Sequence, residues 1–127
     1  MKATNTVYNF SDSLSRIDEI LNASNTNYEE KNSISTTGLT YNNGYYVKCT
    51  AIFVDICDSS DLTDVPKRPV LAKIYRCFIS EMVAMFNGFS QCREISINGD
   101  CVWAVFDTPY KQDVESAFDA SCKANAL

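Results

Sequence analysis

One segment constrains the fold of this chain more than any other: residues 51–60, which read AIFVDICDSS. Its apolar run 51–54 does not alternate with polar residues, which predicts burial on both faces of a longer strand over residues 45–57. Asp55 follows the run directly, and small polar residues come next. An unpaired charge in an apolar strand costs several kcal/mol of desolvation, so the segment predicts a carboxylate with a functional partner.

A second apolar stretch is divided by a turn signal. Asn98 and Gly99 lie between two apolar arms, and Asp100 lies beside them. An Asn-Gly pair in this setting is the strongest short-range indication of a β-hairpin. We therefore predict two strands, over residues 89–97 and 101–106, joined through this turn.

Two helices complete the predicted core. Apolar residues at helical spacing predict a helix over residues 70–87, ended by Gly88. Thr108 is expected to cap a last helix whose first position is Pro109. The predicted apolar faces are Leu71, Ile74, Tyr75, Phe78, Met82, Met85 and Phe86 in the first helix, and Val114, Ala117, Phe118 and Cys122 in the second.

The order of these elements after residue 44 is β-α-β-β-α. A split βαβ, ferredoxin-like sheet needs one more strand. The predicted class is therefore α+β, with a ferredoxin-like core that is truncated before its remaining strands. Residues 1–44 are expected to form an N-terminal extension, with a helix over residues 11–24 capped by Ser11 or Ser13 and a polar linker after it; residues 45–127 form the main domain.

Charge and composition exclude several classes of function. The formal net charge of -5 argues against a nucleic-acid-binding surface. No stretch approaches the length of a membrane span, and the first residues lack the apolar segment of a signal peptide. The six cysteines form no C-x-x-C pair and histidine is absent, so a zinc site is not expected. We predict a cytoplasmic protein with reduced cysteines in its core.

The two acidic residues are expected to meet. In a ferredoxin-like layout the end of the first strand and the hairpin tip lie at one edge of the sheet, so Asp55 and Asp100 converge. Two such carboxylates repel each other unless a cation or a proton lies between them. Oxygen ligands without histidine favour Mg²⁺ or Mn²⁺, and a pair of these ions is suited to displacement at phosphorus.

The polar turn after Asp55 fits the same chemistry. The backbone N–H groups and hydroxyls of Asp58, Ser59 and Ser60 are suited to holding phosphate oxygens. Two plainer interpretations stay open at this point. The serines can cap the following turn, and Asp100 is an ordinary residue beside an Asn-Gly turn.

The segments FVDICDSSDLT and EISINGDCVWAVF, separated by a long helix, resemble the first half of a class III nucleotidyl cyclase domain. The resemblance implies that Asp55, Asp100 and the backbone of Ile56 bind metal, and that Ser59 and Ser60 bind phosphate. More narrowly, YNNGYYVKCTAIFVDI, RPVLAKIYRCFISE and NGDCVWAVFDTP resemble the pyrimidine cyclases of the bacterial Pycsar antiphage system.

That resemblance implies a lyase that converts UTP or CTP into the 3′,5′-cyclic monophosphate and pyrophosphate, as a second messenger in antiphage defence. It also implies two Mn²⁺ or Mg²⁺ ions and a homodimer with shared active sites. Where purine cyclases carry Lys or Glu, four positions before Asp100, this chain has Ser96, which favours a different base. Lys48 is a weaker candidate for contact with base or phosphate, since an ordinary solvated lysine fits equally.

One departure from the family concerns its transition-state Asn and Arg. No Asn-x-x-x-Arg pattern follows Asp100, and Arg93 is the last arginine. Two alternatives therefore stay open: an adenylyl or guanylyl cyclase, and a catalytically incomplete cyclase-like module for dimerisation or nucleotide binding. A ferredoxin-like nucleic-acid binder fits the acidic charge poorly.

Overall fold

The computed structural model describes residues 3–63 and 67–127. In chain order, the helices and strands of this part are α1 (Phe10–Leu21), β1 (Tyr28–Glu30), β2 (Gly44–Tyr46), β3 (Cys49–Val54), α2 (Arg68–Asn87), β4 (Cys92–Asn98), β5 (Cys101–Asp107) and α3 (Lys111–Ala126). This mixture agrees with the predicted α+β class, and from β3 onward the elements follow the predicted β-α-β-β-α order. Completion into a ferredoxin-like sheet stays a prediction.

The contacts divide the chain into two compact units, one with residues 3–31 and 36–46 and the other with residues 32–35 and 47–127. In the first unit, Asn9 caps α1, because its side-chain oxygen accepts hydrogen bonds from the backbone N–H groups of Ser11 and Asp12. The prediction of Ser11 or Ser13 as the cap was therefore wrong.

The predicted polar linker contains two short strands, since β1 and β2 pair in parallel with Tyr28 opposite Gly44. The division into domains over residues 1–44 and 45–127 stays a prediction, and residues 1 and 2 lie outside the described part.

The main sheet belongs to the second unit and has the strand order β3-β5-β4, with both pairs antiparallel. Val54 lies opposite Val102, and Asn98 lies opposite Cys101. The C-terminal end of β3 and the tip of the β4–β5 hairpin therefore lie at the same edge. The predicted strand over residues 45–57 was too long, because β2 pairs only with β1 and β3 alone joins this sheet.

Helices cover one face of this sheet. Both α2 and α3 contact its strands, and the buried core between them consists of Ile52, Met82, Phe86, Val102, Ala104, Phe106, Ala117, Ala120 and Ala124. On the other face Phe53 is 66% exposed and stacks on Trp103, with ring centroids 5.7 Å apart. The prediction that β3 is buried on both faces was wrong, because successive side chains point to opposite faces and helices cover only one of them.

The predicted apolar face of α2 largely points inward. Met82 and Phe86 are buried, while Leu71, Tyr75 and Phe78 are half-buried. The helix begins at Arg68 instead of residue 70 and ends at Asn87, as the sequence predicts. Ile74 is the exception, since it is 39% exposed.

The predicted start of α3 was wrong. Tyr110 is the N-cap residue of α3. Thr108 still belongs to the extended chain that follows β5. The N–H of Thr108 donates to the carbonyl of Lys48 (2.9 Å), and the Thr108 hydroxyl is hydrogen-bonded to the Thr50 hydroxyl (3.0 Å).

The predicted inner face of α3 was also wrong except at Ala117. Three alanines at helical spacing and Asp113 face inward, whereas Val114, Phe118 and Cys122 are exposed. Small side chains let the helix pack closely on the sheet and on α2, and larger ones at the same positions would overpack the core.

A buried carboxylate anchors residues 32–35 to the sheet. Asp107, at the end of β5, has a side chain that is 8% exposed. It accepts hydrogen bonds from the Ser33 hydroxyl (2.6 Å), the Ile34 N–H (2.8 Å) and the Arg93 guanidinium. Burial alone would raise the pKa of Asp107, but these three donors and the positive charge of Arg93 outweigh it and hold the pKa below its usual value.

None of the cysteines is fully buried in the core, contrary to expectation, although Cys92 packs against it. All six are free thiols; Cys92 and Cys101 are half-buried and the other four are exposed. The buried core positions of these strands and helices are occupied by other apolar residues, such as Phe106 and Ala120. Across residues 3–63 and 67–127, no helix has both the length and the apolar character needed to cross a membrane.

Candidate functional site

The hairpin tip carries the first candidate acid. Because Asn98 pairs with Cys101, the two central residues of the turn are Gly99 and Asp100. Gly99 has a φ of +66° and Asp100 does not have a positive φ, as in a type II′ turn with glycine at its first central position. Asp100 is thus part of the turn instead of lying beside it, and the turn presents its side chain at the edge of the sheet.

Gly99→Ala is expected to lower the free energy of unfolding by about 1–2 kcal/mol, because an L side chain is disfavoured in left-handed backbone. An added Cβ would meet no atom within 4 Å, so the loss comes from the backbone alone. Gly99→Asn should cost less, since asparagine visits this region more readily. Urea unfolding of the three proteins measures both differences, and equal stability of the alanine variant and the parent would contradict the assignment.

The second candidate acid lies just beyond β3. Asp55 is exposed, and its carboxylate accepts a hydrogen bond from the N–H of Ile56 (3.0 Å). The expectation of an acid embedded in a buried strand was therefore wrong, because the strand ends at Val54. An exposed carboxylate keeps its hydration, so Asp55 does not carry the desolvation cost that was expected for it.

A tight turn follows Asp55 and directs the chain back toward the hairpin. Asp58 has a left-handed backbone with a φ of +52°, which aspartate tolerates better than most residues. Its carbonyl accepts a hydrogen bond from the N–H of Asp61 (2.9 Å), at the start of a single 3₁₀ turn, Asp61–Thr63. Ser59 is half-buried in this turn, and Ser60 beside it is exposed.

The two acids and the turn meet at one edge of the sheet. The pKa of Asp100 lies below its usual value, and the neighbouring Ser59 side chain is the largest cause. The backbone N–H of Asp100 and the Asp55 side chain lower this pKa further, while partial desolvation raises it. Asp100 is therefore ionised at neutral pH, and Asp55, Ser59 and Asp100 form one cluster, called here the acidic edge.

The other predicted site residues lie at different places. Ser96 is on β4 opposite Trp103, on the sheet face that the helices leave uncovered. Lys48 precedes β3, and its carbonyl bonds Thr108 at the opposite end of that strand. Seven residues of extended chain separate it from Asp55, roughly 23 Å, so the fold does not bring Lys48 to the acidic edge of its own chain.

Tyr75 is a neighbour of the acidic edge that the sequence did not reveal. It lines an open cavity of about 330 Å³ together with Gly99 and Asp100, and its hydroxyl donates to the carbonyl of Ser59 (3.4 Å). The sequence places Tyr75 on the apolar face of α2. The one available signal was that this side chain, unlike Leu71 or Phe78, ends in a hydroxyl.

The donor set of the acidic edge fits a hard divalent ion. Within the described ranges, no group of three or more His, Cys, Asp or Glu residues is placed to hold a metal. Mg²⁺ and Mn²⁺ do not need such a cage, because Mg²⁺ keeps several waters and binds through one or two carboxylates plus substrate phosphates. Asp55 and Asp100 satisfy that smaller requirement.

Fold and site together describe an α+β unit whose three-stranded antiparallel sheet, backed by two helices, carries two carboxylates at one edge. No family model matches the chain. It is similar to a uridylate cyclase of Gulbenkiania mobilis, with 45% identity over 133 aligned positions that cover 100% of this chain and 51% of that protein. It is also similar to a uridylate cyclase of Treponema porcinum, with 36% identity over 121 positions, 94% of this chain and 42% of that protein. The chain spans about half the length of the curated relatives it matches.

Proposed function

We propose that this chain supplies the metal- and phosphate-binding residues of a uridylate cyclase, which converts UTP into 3′,5′-cyclic UMP and pyrophosphate. The observation that carries the proposal is the meeting of Asp55 and Asp100 at the acidic edge. The similarity to two proteins named uridylate cyclase supports uridine as the base, and CTP is the alternative pyrimidine substrate.

The reaction forms a bond from the ribose 3′ oxygen to the α-phosphorus and breaks the bond from that phosphorus to the pyrophosphate oxygen. Two Mg²⁺ or Mn²⁺ ions would supply Lewis-acid stabilisation of the attacking and leaving oxygens. Asp55 and Asp100 would hold these ions through their carboxylates, and the carbonyl of Ile56 would be a further ligand. The turn of Ser59 and Ser60 holds the triphosphate, and the hydroxyl proton leaves to solvent.

The uncovered face of the sheet is where the base and a second copy of the chain would bind. Ser96 lies there next to the stacked rings of Phe53 and Trp103, and its short hydroxyl lacks the reach and charge that a purine edge requires. Lys48 contributes to a nucleotide site only if a partner subunit brings it there. We include in the proposal a head-to-tail homodimer with shared sites, a class III cyclase fold, a cytoplasmic location and a role in antiphage signalling.

The substrate assignment is tested by incubating the full-length protein with UTP, CTP, ATP and GTP in separate reactions with Mn²⁺. Cyclic UMP with an equal amount of pyrophosphate is the expected main product, and a chelator should abolish it. The Asp100→Asn protein, purified in the same way, controls for a contaminating cyclase. Cyclic AMP or cyclic GMP as the main product would reject the pyrimidine assignment.

A specific observation favours a second candidate, a cyclase-like module that binds nucleotide or dimerises without catalysis. Arg93, the last arginine of the sequence, pairs with Asp107 at the end of β5 remote from the hairpin tip. Arg93 is therefore not placed to act on the transition state at the acidic edge, and no Asn-x-x-x-Arg pattern follows Asp100 in the sequence. UTP binding by the full-length protein without any cyclic product would support the second candidate.

A further inference from the structure

We infer that Trp103 and Ser96 form a slot on the uncovered face of the sheet, in which the base of the nucleotide stacks on the indole ring. This inference rests on the proposed function and deepens it, because it names the side chain that contacts the ring of the base. It concerns a tryptophan for which the metal-binding acids give no role.

Three side chains form a row across the uncovered face. Phe53, Trp103 and Ser96 lie opposite one another in the register of β3, β5 and β4. Residues directly opposite each other in antiparallel strands share one face, with Cβ atoms roughly 4.5–5.5 Å apart. The row therefore consists of two aromatic rings followed by one short side chain.

The two rings of this row are stacked on each other. Phe53 and Trp103 have ring centroids 5.7 Å apart and ring planes inclined by 15°. The face of Trp103 that does not meet Phe53 is turned away from β3, to the side on which Ser96 follows. Serine extends only one heavy atom beyond its Cβ, so the space above it has room for a third ring. We call this space the slot.

A neutral planar ring suits the slot. Neighbouring strands are roughly 4.7–4.9 Å apart, which lies within the roughly 4.5–7 Å between the centroids of packed aromatic rings. A base above Ser96 would therefore continue the stack of Phe53 and Trp103. None of these three side chains is charged, so the slot favours a neutral base over a charged group. The Ser96 hydroxyl can hydrogen-bond the edge of that base.

The slot is continuous with the acidic edge. Asn98 follows Ser96 two residues later on the same face and pairs with Cys101 at the turn that carries Asp100. Two residues of a strand span roughly 7 Å. The slot and the turn are thus neighbours on the scale of one nucleotide, whose ribose separates the base from the phosphates.

The test uses the full-length protein with Trp103→Leu, Trp103→Phe and Ser96→Phe, and measures kcat and KM for UTP with Mn²⁺. Trp103→Leu removes the ring and is expected to raise KM about 10-fold, whereas Trp103→Phe keeps a ring and should stay within about 3-fold of the parent. Ser96→Phe fills the slot and should raise KM about 10-fold or more. These losses should appear in KM more than in kcat, because a stacked base is held equally in the ground state and the transition state.

A second measurement follows the slot without turnover. Trp103 is the single tryptophan of this chain, and a base stacked on an indole ring quenches its fluorescence. The analogue α,β-methylene-UTP, which cannot release pyrophosphate, should therefore quench the emission of the parent protein in the presence of Mg²⁺. Trp103→Phe should lose this quenching, and the difference between the two proteins separates Trp103 from any tryptophan elsewhere in the full-length protein.

Matched substitutions elsewhere control for changes in size and hydrophobicity. Phe118→Leu removes an aromatic ring that is 70% exposed on α3, and Ser80→Phe adds one at an exposed position of α2. Both should keep KM within about 2-fold of the parent. Ser96→Phe extends the row of rings and should unfold within about 3 °C of the parent, so its loss of affinity is not a loss of structure.

Several results would overturn the inference. They are a parental KM in Trp103→Leu or Ser96→Phe, quenching of parental size in Trp103→Phe, and a rise in KM for Ser80→Phe equal to that for Ser96→Phe. If Ser96→Phe strengthens self-association and leaves KM unchanged, the row packs against a second copy of the chain and the base binds elsewhere. If the parent itself makes no cyclic UMP, the proposed function fails; if the parent cyclises UTP and these variants keep its KM, only the slot is wrong.

Discussion

Asp100→Asn and Asp55→Asn are each expected to lower the rate of cyclic UMP formation by the full-length protein about 10³-fold or more. Asparagine keeps the size of the side chain but removes the charge that holds a divalent ion beside the reacting phosphate. Asp55 is exposed and Asp100 is half-buried at the sheet edge, outside the apolar core, so neither substitution disturbs that core. Single-turnover assays with saturating Mn²⁺ and UTP measure the change in the chemical step.

The matched control for these variants is Glu115→Gln, which removes one carboxylate charge from the exposed side of α3. It should retain parental activity, because the net charge alone does not determine the metal site. All three variants should unfold within about 3 °C of the parent. Turnover within 10-fold of the parent in either aspartate variant, with the protein folded, would remove the basis of the cyclase proposal.

Asp107→Ala is expected to lower the free energy of unfolding by about 2–3 kcal/mol. The substitution leaves the Ser33 hydroxyl, the Ile34 N–H and the Arg93 guanidinium without their shared acceptor. Hydrogen exchange should quicken at Ile34 more than at the central strand β5. Urea unfolding and exchange mass spectrometry measure the two effects.

Asp119→Ala is the control for this prediction. Asp119 pairs with Lys123 at 2.9 Å, but both side chains are more than half exposed, and such surface pairs contribute about 0–1 kcal/mol. If Asp107→Ala lowers the free energy of unfolding no more than Asp119→Ala does, the buried carboxylate has no stabilising role.

The pH dependence of stability has a definite sign at Asp107. Its pKa is lower in the folded protein than in the unfolded chain, so ionisation favours folding. That stabilisation is complete above the ordinary aspartate pKa, near 3.9, and is lost as the pH falls through the lower folded value. The unfolding free energy of Asp107→Ala should therefore fall less steeply than that of the parent in this acidic range.

Features encoded within a few neighbouring residues were predicted well. The hairpin at Gly99 follows from the backbone freedom of glycine, and helix α2 follows from a stripe of large apolar residues such as Met82 and Phe86. Both signals are local, because a β-turn and a helical apolar stripe are each set by residues only a few positions apart in the sequence.

Features that depend on how elements pack were predicted less well. In α3 two faces have helical spacing, and hydrophobicity favours the one with Phe118. The fold instead buries Ala120 and Ala124, since the room between α3, the sheet and α2 admits only small side chains. In β3 the apolar run at Phe53 suggested two buried faces, whereas the helices cover one.

The sequence by itself determined the order of the strands and helices and the residues available for chemistry, Asp55 and Asp100 among them. Only the tertiary structure decided which side chains touch these acids, because such contacts depend on the β3–β5 register and on the distance from α2 to the sheet. Tyr75, which lines one cavity with Asp100, belongs to that second group. Its position follows from packing between segments that are distant in the chain, which no local pattern of residues specifies.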